Sequence, residues 1–104
     1  MQPSATRVVV SDAGPLIALG RLDKLAILVG VFREVQVPRE VLAECVRRPE
    51  LPDAQAIEAA VANGFLVQCE ATPIRMDGLG AGESAAIGRA LAIGAALMAD
   101  DLAA

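Results

Sequence analysis

Residues 7–17 have the sequence Arg7-Val8-Val9-Val10-Ser11-Asp12-Ala13-Gly14-Pro15-Leu16-Ile17. A short, β-branched apolar run of this kind is typical of a strand buried on both faces in a parallel sheet. Asp12 ends the run, and Pro15 is well placed in the first turn of a helix that follows. The stretch therefore predicts a strand over 7–11, a turn over 12–15 and a short helix that ends at Gly20.

Strands and helices are expected to alternate along the rest of the chain. The predicted elements are a helix over 24–31 capped by Asp23, a strand over 34–37, a helix over 39–46, a helix over 54–63 capped by Asp53, a strand over 65–69, a loop turning into a helix over 79–92, and a strand over 95–99. Such alternation favours an α/β fold with a parallel sheet and right-handed crossovers. At 104 residues and 55% hydrophobic content, we expect one domain over residues 1–104.

Composition excludes several functions. Two Phe without Trp or Tyr provide no platform for stacking bases, and a net charge of -4 argues against coating nucleic acid by bulk electrostatics. The chain has no His, so Cys/His zinc sites and histidine general bases are ruled out within it. Cys45 and Cys69 have no paired spacing and are expected to be reduced thiols. Without a signal peptide or an apolar run long enough to span a membrane, we expect a soluble, cytoplasmic protein.

Carboxylates directly follow the first and the last predicted strands of the chain. Asp12 ends the first apolar run, and Asp100 and Asp101 end the last one. Parallel strands place their carboxyl ends at one edge, where α/β proteins bind ligands. With Glu44 and Glu83, which lie on helices that could face this edge, the acids would form a pocket whose repulsion a cation relieves. Oxygen-only ligation suits Mg²⁺ or Mn²⁺.

Each acid also has a simpler interpretation. Asp12 could cap the helix after it, and Glu44 could be a solvated helix residue. Glu83 could offset the positive end of its helix, and Asp100-Asp101 could form a polar turn. The hypothesis of a shared site therefore depends on the joint arrangement of these residues and not on any one of them.

Four stretches of the chain carry a family resemblance. They are Val10-Ser11-Asp12-Ala13-Gly14-Pro15-Leu16-Ile17, Val37-Pro38-Arg39-Glu40-Val41-Leu42-Ala43-Glu44, Leu79-Gly80-Ala81-Gly82-Glu83-Ser84-Ala85-Ala86-Ile87 and Asp100-Asp101-Leu102-Ala103-Ala104. In type and order they resemble the PIN-domain family, specifically the bacterial and archaeal branch of VapC-like toxin ribonucleases. The resemblance covers nearly the whole chain.

The resemblance implies an α/β/α sandwich with a parallel sheet and metal-dependent hydrolysis of RNA phosphodiester bonds. Carried over by position, Asp12, Glu44, Glu83 and Asp101 would be the four catalytic acids. Asp12, Glu83 and Asp101, with Asp100 as an auxiliary, would hold Mg²⁺ or Mn²⁺, and Glu44 would orient or deprotonate the attacking water.

One departure from the family pattern bears on function. The last family motif usually continues with an arginine, a helix and a strand, whereas here Leu102-Ala103-Ala104 follow the acids. We therefore expect a C-terminally abbreviated domain whose last strand exposes an edge, which favours a homodimer or capture by a partner peptide. The resemblance to toxin ribonucleases adds an antitoxin protein as a candidate partner. The leading hypothesis is the ribonuclease toxin of a toxin-antitoxin pair, with RNA as the substrate. The alternative is a catalytically inactive PIN-like module that binds a partner.

Overall fold

The computed structural model describes residues 7–99 as alternating strands and helices. In chain order the elements are β1 (Val8–Ser11), α1 (Ala13–Arg21), α2 (Ile27–Val31), β2 (Glu34–Pro38), α3 (Arg39–Cys45), α4 (Pro52–Ala62), β3 (Leu66–Cys69), α5 (Ala81–Ile93) and β4 (Ala96–Met98). The order confirms the alternation that the sequence predicts.

The strands form one parallel sheet in the order β3-β2-β1-β4. Val9 pairs with Val35 of β2 on one side and with Ala96 of β4 on the other. The sheet is flanked by helices, as expected for a PIN-like α/β/α fold. The predicted fold class is therefore confirmed.

β1 lies in the interior of the sheet and is covered on both faces. Val9, Val10 and Ser11 are all buried. Since successive side chains of a strand point to opposite faces of the sheet, both faces of β1 are covered. Helices supply the facing apolar side chains, among them Leu16 of α1 and Ile57 of α4, both completely buried. The continuous apolar run of β1 is explained by this double covering.

The direction in which successive strands are added to the sheet reverses beside β1. The connections from β1 to β2 and from β2 to β3 step in one direction, and the connection from β3 to β4 returns across the sheet. Because such crossovers are right-handed, the return through α5 covers the face opposite the earlier crossovers. The carboxyl ends of β1 and β4 therefore meet at a topological switch point, where open α/β sheets form their ligand crevice.

Three local predictions were wrong. The turn predicted over 12–15 is mostly helical, because α1 begins at Ala13 directly after its cap, Asp12. The expected helix over 24–31 is formed only by α2, because the chain turns at Asp23, which has a φ of 57° and caps no helix. Asp53 was expected to cap a helix over 54–63, but α4 begins at Pro52 with Leu51 as its N-cap, so Asp53 lies inside the first turn. Proline at N1 sets this earlier start.

The loop between β3 and α5 is held against α5. The Ser84 hydroxyl donates to the carbonyl oxygen of Ile74, and the Ile74 N–H donates to the carbonyl oxygen of Ser84. One turn later, Gly88 leaves space that the carbonyl group of Thr72 fills. Small residues on this face of α5 therefore let the loop pack closely. None of the helices within residues 7–99 is long and apolar enough to cross a bilayer.

Candidate active site

Asp12 lies at the switch point between β1 and β4. Its N–H donates to the carbonyl oxygen of Met98 at 2.9 Å, which ties it to the end of β4. Its carboxylate oxygen Oδ1 accepts the Ala13 N–H at 2.8 Å, which makes Asp12 the N-cap of α1. The capping interpretation is thus confirmed, and the half-buried carboxylate also stands at the carboxyl edge of the sheet.

Glu44 and Glu83 come from two helices that pack together. Glu44 lies in the last turn of α3, Glu83 lies in the first turn of α5, and both side chains are exposed. The carboxylate oxygen Oε1 of Glu44 lies 2.9 Å from the point that a Cβ atom on Gly82 would occupy. The Glu44 carboxylate therefore lies against the N-terminal turn of α5, beside the residue that precedes Glu83.

The pKa of the buried Cys45 thiol is affected by the carboxylates around it. Burial and then the carboxylates of Glu44, Asp12 and Asp53, in that order, raise the pKa of Cys45 to about 12. These acids come from α3, from the end of β1 and from α4. Each of the three carboxylates therefore lies close enough to Cys45 to disfavour its thiolate.

Asp53 is the acid that the sequence prediction misassigned. It is only 7% exposed and packs against Gly20 of α1, where a Cβ atom would lie 3.2 Å from the Asp53 Cβ. Pro52 was the available signal, since proline at the first helical position moves Asp53 from the cap into the helix. Its carboxylate therefore adds to the negative potential at Cys45 instead of capping α4.

The donor chemistry of these acids suits a hard divalent cation. Asp12, Glu44 and Glu83 offer only oxygen, and within residues 7–99 none of them forms a salt bridge with an arginine or lysine. In the same range, however, no three Asp, Glu or Cys side chains form a group that could hold a metal ion. Asp100 and Asp101, which complete the predicted ligand set, lie outside the described residues.

The candidate contacts to RNA phosphates differ in their availability; they are Arg39, Arg47, Arg48, Arg75 and Arg89. Arg89 is half-buried and donates from Nε to Oε1 of Gln36 at 2.8 Å. Arg39 pairs with Glu70 at 3.5 Å and Arg48 with Glu50 at 3.1 Å, both on the surface. Arg47 and Arg75 are exposed and form no salt bridge with another described residue. Arg89 therefore acts within the fold, and the other four remain accessible to phosphates.

A protein-family model described as PIN domain matches residues 8–104, nearly the full chain. The chain belongs to the PIN-domain family. This PIN domain accordingly has a nuclease fold. Asp12 lies at the switch point, which is where open α/β sheets bind their ligands. No curated protein and no solved structure gives a significant match to the chain.

Proposed function

We propose that this PIN domain is a metal-dependent ribonuclease that hydrolyses RNA phosphodiester bonds with Asp12, Glu44, Glu83 and Asp101. The observation that carries the proposal is the position of Asp12 at the switch point, in a fold that belongs to a nuclease family. The position of the Glu44 carboxylate beside the first turn of α5 supports a shared role with Glu83. Carboxylates that share a site repel one another unless a cation binds among them.

Each acid has a distinct part in the proposed reaction. Asp12, Glu83 and Asp101, assisted by Asp100, would hold Mg²⁺ or Mn²⁺, and the ion would supply Lewis-acid polarisation of the phosphoryl group. Glu44 orients the attacking water and accepts its proton on a carboxylate oxygen. Water adds to phosphorus as the bond to the leaving ribose oxygen breaks, and that oxygen takes up a proton from solvent water. Asp12 is held in place by its bond to the Ala13 N–H, so its carboxylate is preorganised.

RNA is positioned by phosphate contacts in this proposal. The exposed cations Arg39, Arg47, Arg48 and Arg75 provide local positive charge in a chain whose net charge is -4. Surface ion pairs such as that of Arg39 with Glu70 are weak and exchange readily for a phosphate. The lack of Trp and Tyr leaves phosphate contacts as the main source of affinity.

Cleavage of a panel of structured RNAs in Mn²⁺ or Mg²⁺ tests the proposal. Glu83→Gln and Glu58→Gln make the same chemical change on exposed residues of two long helices, and only Glu83 belongs to the proposed site. We expect wild type and Glu58→Gln to cleave with metal and Glu83→Gln to be strongly impaired. Equal cleavage by all three would reject the site, and metal-independent cleavage would reject the mechanism.

The alternative function is a catalytically inactive module that binds a partner. The specific observation in its favour is that residues 7–99 contain no group of three metal-ligating side chains. No cleavage by wild type under any metal condition, together with a folded chain, would favour this alternative over the ribonuclease.

The biological setting is a further part of the proposal. We propose that the protein is the cytoplasmic toxin of a toxin-antitoxin pair, that an antitoxin protein neutralises it, and that it forms a homodimer. The homodimer is supported by β4, which pairs only with β1 within the described residues and whose Leu97 side chain is 39% exposed. Sedimentation of the pure protein tests the homodimer, and a monomer at micromolar concentration would exclude it.

A further inference from the structure

Gly82 is buried where α3 meets the first turn of α5, and backbone conformation does not require a glycine there. The glycines with positive φ in the described chain are Gly64, Gly78 and Gly94, so an alanine at position 82 would not be strained on this ground. What singles Gly82 out is the atom that its missing side chain would meet. An added Cβ would lie 2.9 Å from Oε1 of Glu44 and 3.5 Å from Cα and Cγ2 of Val41.

These distances separate a clash from a normal contact. The 3.5 Å distances to Val41 are ordinary van der Waals contacts, so α3 and α5 can keep their packing with a methyl group between them. The 2.9 Å distance from the added Cβ to Glu44 Oε1 is shorter than real Cβ contacts. The two atoms would have to separate by 0.5 Å to reach an ordinary contact distance of 3.4 Å. The atom that must move is the end of a flexible side chain. An alanine at position 82 would therefore displace the Glu44 carboxylate and little else.

Other glycines of this helix show that the arrangement is specific. An added Cβ on Gly80, at the N-cap of α5, meets nothing within 4 Å, and one on Gly88 meets the backbone of Thr72. Of the three glycines at the N-cap of α5 and within it, Gly80, Gly82 and Gly88, only Gly82 has a carboxylate oxygen among the nearest atoms within 4 Å of that point. No side chain caps the N-terminus of α5, so its partial positive charge is available to the Glu44 carboxylate.

We propose that Gly82 is a positioning residue for Glu44: its missing side chain leaves room for the Glu44 carboxylate at the positive end of α5, beside Glu83. The inference rests on the proposed function, because it assigns to Gly82 the placement of the residue that orients the attacking water. Displacing that carboxylate by 0.5 Å lowers kcat by about 10-fold, since misplacement by about 1 Å can lower a rate about 100-fold. KM for RNA stays the same, because no phosphate contact changes.

The test compares Gly82→Ala with Gly80→Ala in the full chain. The two variants add the same methyl group at neighbouring positions of one helix end, and only position 82 faces Glu44. We expect Gly82→Ala to reduce kcat about 10-fold at constant KM, to shift the side-chain carboxyl carbon resonance of Glu44 in NMR spectra, and to keep the wild-type thermal midpoint. Gly80→Ala should leave kcat and the Glu44 resonance unchanged, even if the loss of a glycine N-cap lowers its thermal midpoint.

A second substitution distinguishes positioning from a general structural role. Glu44→Asp shortens the side chain by one methylene group, which withdraws the carboxylate from position 82. In that background Gly82→Ala should no longer lower kcat, whereas a general structural effect would lower it by the same factor in both backgrounds. The same factor in both backgrounds, an unmoved Glu44 resonance, or loss of folding in Gly82→Ala would overturn the proposal.

The outcome also separates this proposal from the nuclease proposal. If wild type cleaves no RNA, the proposed function fails; a Glu44 resonance that still shifts in Gly82→Ala and not in Gly80→Ala then supports the placement of the carboxylate by itself. If wild type cleaves RNA and Gly82→Ala matches it in kcat, the nuclease proposal stands and the role of Gly82 is refuted.

Discussion

Asp12 combines two roles that substitutions can separate: it caps α1, and we propose that it is a reacting carboxylate. The capping bond from the Ala13 N–H to Asp12 Oδ1 is 2.8 Å long. Replacing an N-cap Asp by Ala costs about 0.5–2 kcal/mol, and 1 kcal/mol lowers the thermal midpoint of a domain of about 100 residues by about 4–8 °C. Asp12→Ala should therefore lower the midpoint by several degrees.

Asp12→Asn keeps the cap and removes the charge. Asn and Asp are comparable N-caps, and the Asn side-chain oxygen can accept the same N–H. The favourable interaction with the helix dipole is lost, but on a partly exposed group at a helix end this interaction is worth only about 0.3 kcal/mol. We expect the thermal midpoint to stay within about 2 °C of wild type. RNA cleavage should nevertheless fall at least about 100-fold, since about 3 kcal/mol of transition-state stabilisation depends on the ionised group.

Circular dichroism melting and RNA cleavage, measured on the same preparations, provide the assay. Asp23→Asn is the matched control, because it makes the same change on an exposed residue beyond the other end of α1. Wild-type cleavage by Asp12→Asn would refute the catalytic role. A midpoint lowered as much in Asp12→Asn as in Asp12→Ala would refute the separation of cap from charge.

Three further predictions concern packing, pH and RNA binding. Gly88→Ala should lower the free energy of unfolding by about 1–3 kcal/mol in urea titrations, because the new methyl group overlaps the carbonyl group of Thr72. The free energy of unfolding should fall by more than about 1 kcal/mol per pH unit above pH 9, since the unfolded thiol of Cys45 ionises near its ordinary pKa of 9.0, whereas the folded thiol stays protonated up to its pKa of about 12. Arg39→Gln should raise KM for RNA and reduce the dependence of affinity on salt by about one counterion, while Arg33→Gln, at the opposite edge of the sheet, changes neither.

Each of these predictions has an outcome that contradicts it. A Gly88→Ala variant as stable as wild type would show that the loop can move away from α5. For the thiol, the comparison is Cys45→Ala, which should flatten the slope between pH 9 and 11; an equally steep slope in both proteins would assign it to other groups. Equal KM values for Arg39→Gln and wild type would place the RNA elsewhere.

The sequence predicted the sheet more accurately than the helices that surround it. β1 and β2 were located within one residue because consecutive or alternating β-branched residues have few other stable arrangements. The helix expected over 24–31 was shortened because its apolar residues favour no single face, and three of them, Ile27, Val29 and Val31, remain exposed in the structure. Periodicity carries little information where an apolar segment is only partly buried.

The candidate site could be predicted in part for a related reason. The position of Asp12 follows from local sequence, since the apolar run that forms β1 ends at Ser11, directly before Asp12. The contact between Glu44 and Gly82 depends on how α3 packs against α5, and no pattern within either helix encodes it. Pro52 signals the earlier start of α4 that moves Asp53 out of the cap, but the burial of Asp53 depends on the packing of α4 against Gly20 of α1, which no local pattern encodes.

Calorimetric titration of the full chain with Mn²⁺ measures the shared cation site most directly. We expect wild type and Asp23→Asn to bind Mn²⁺ with a dissociation constant below millimolar, and Asp12→Asn and Glu83→Gln to bind far more weakly. Folded wild-type protein that shows no binding below millimolar Mn²⁺, or binding that survives both substitutions, would contradict a divalent ion held by these carboxylates.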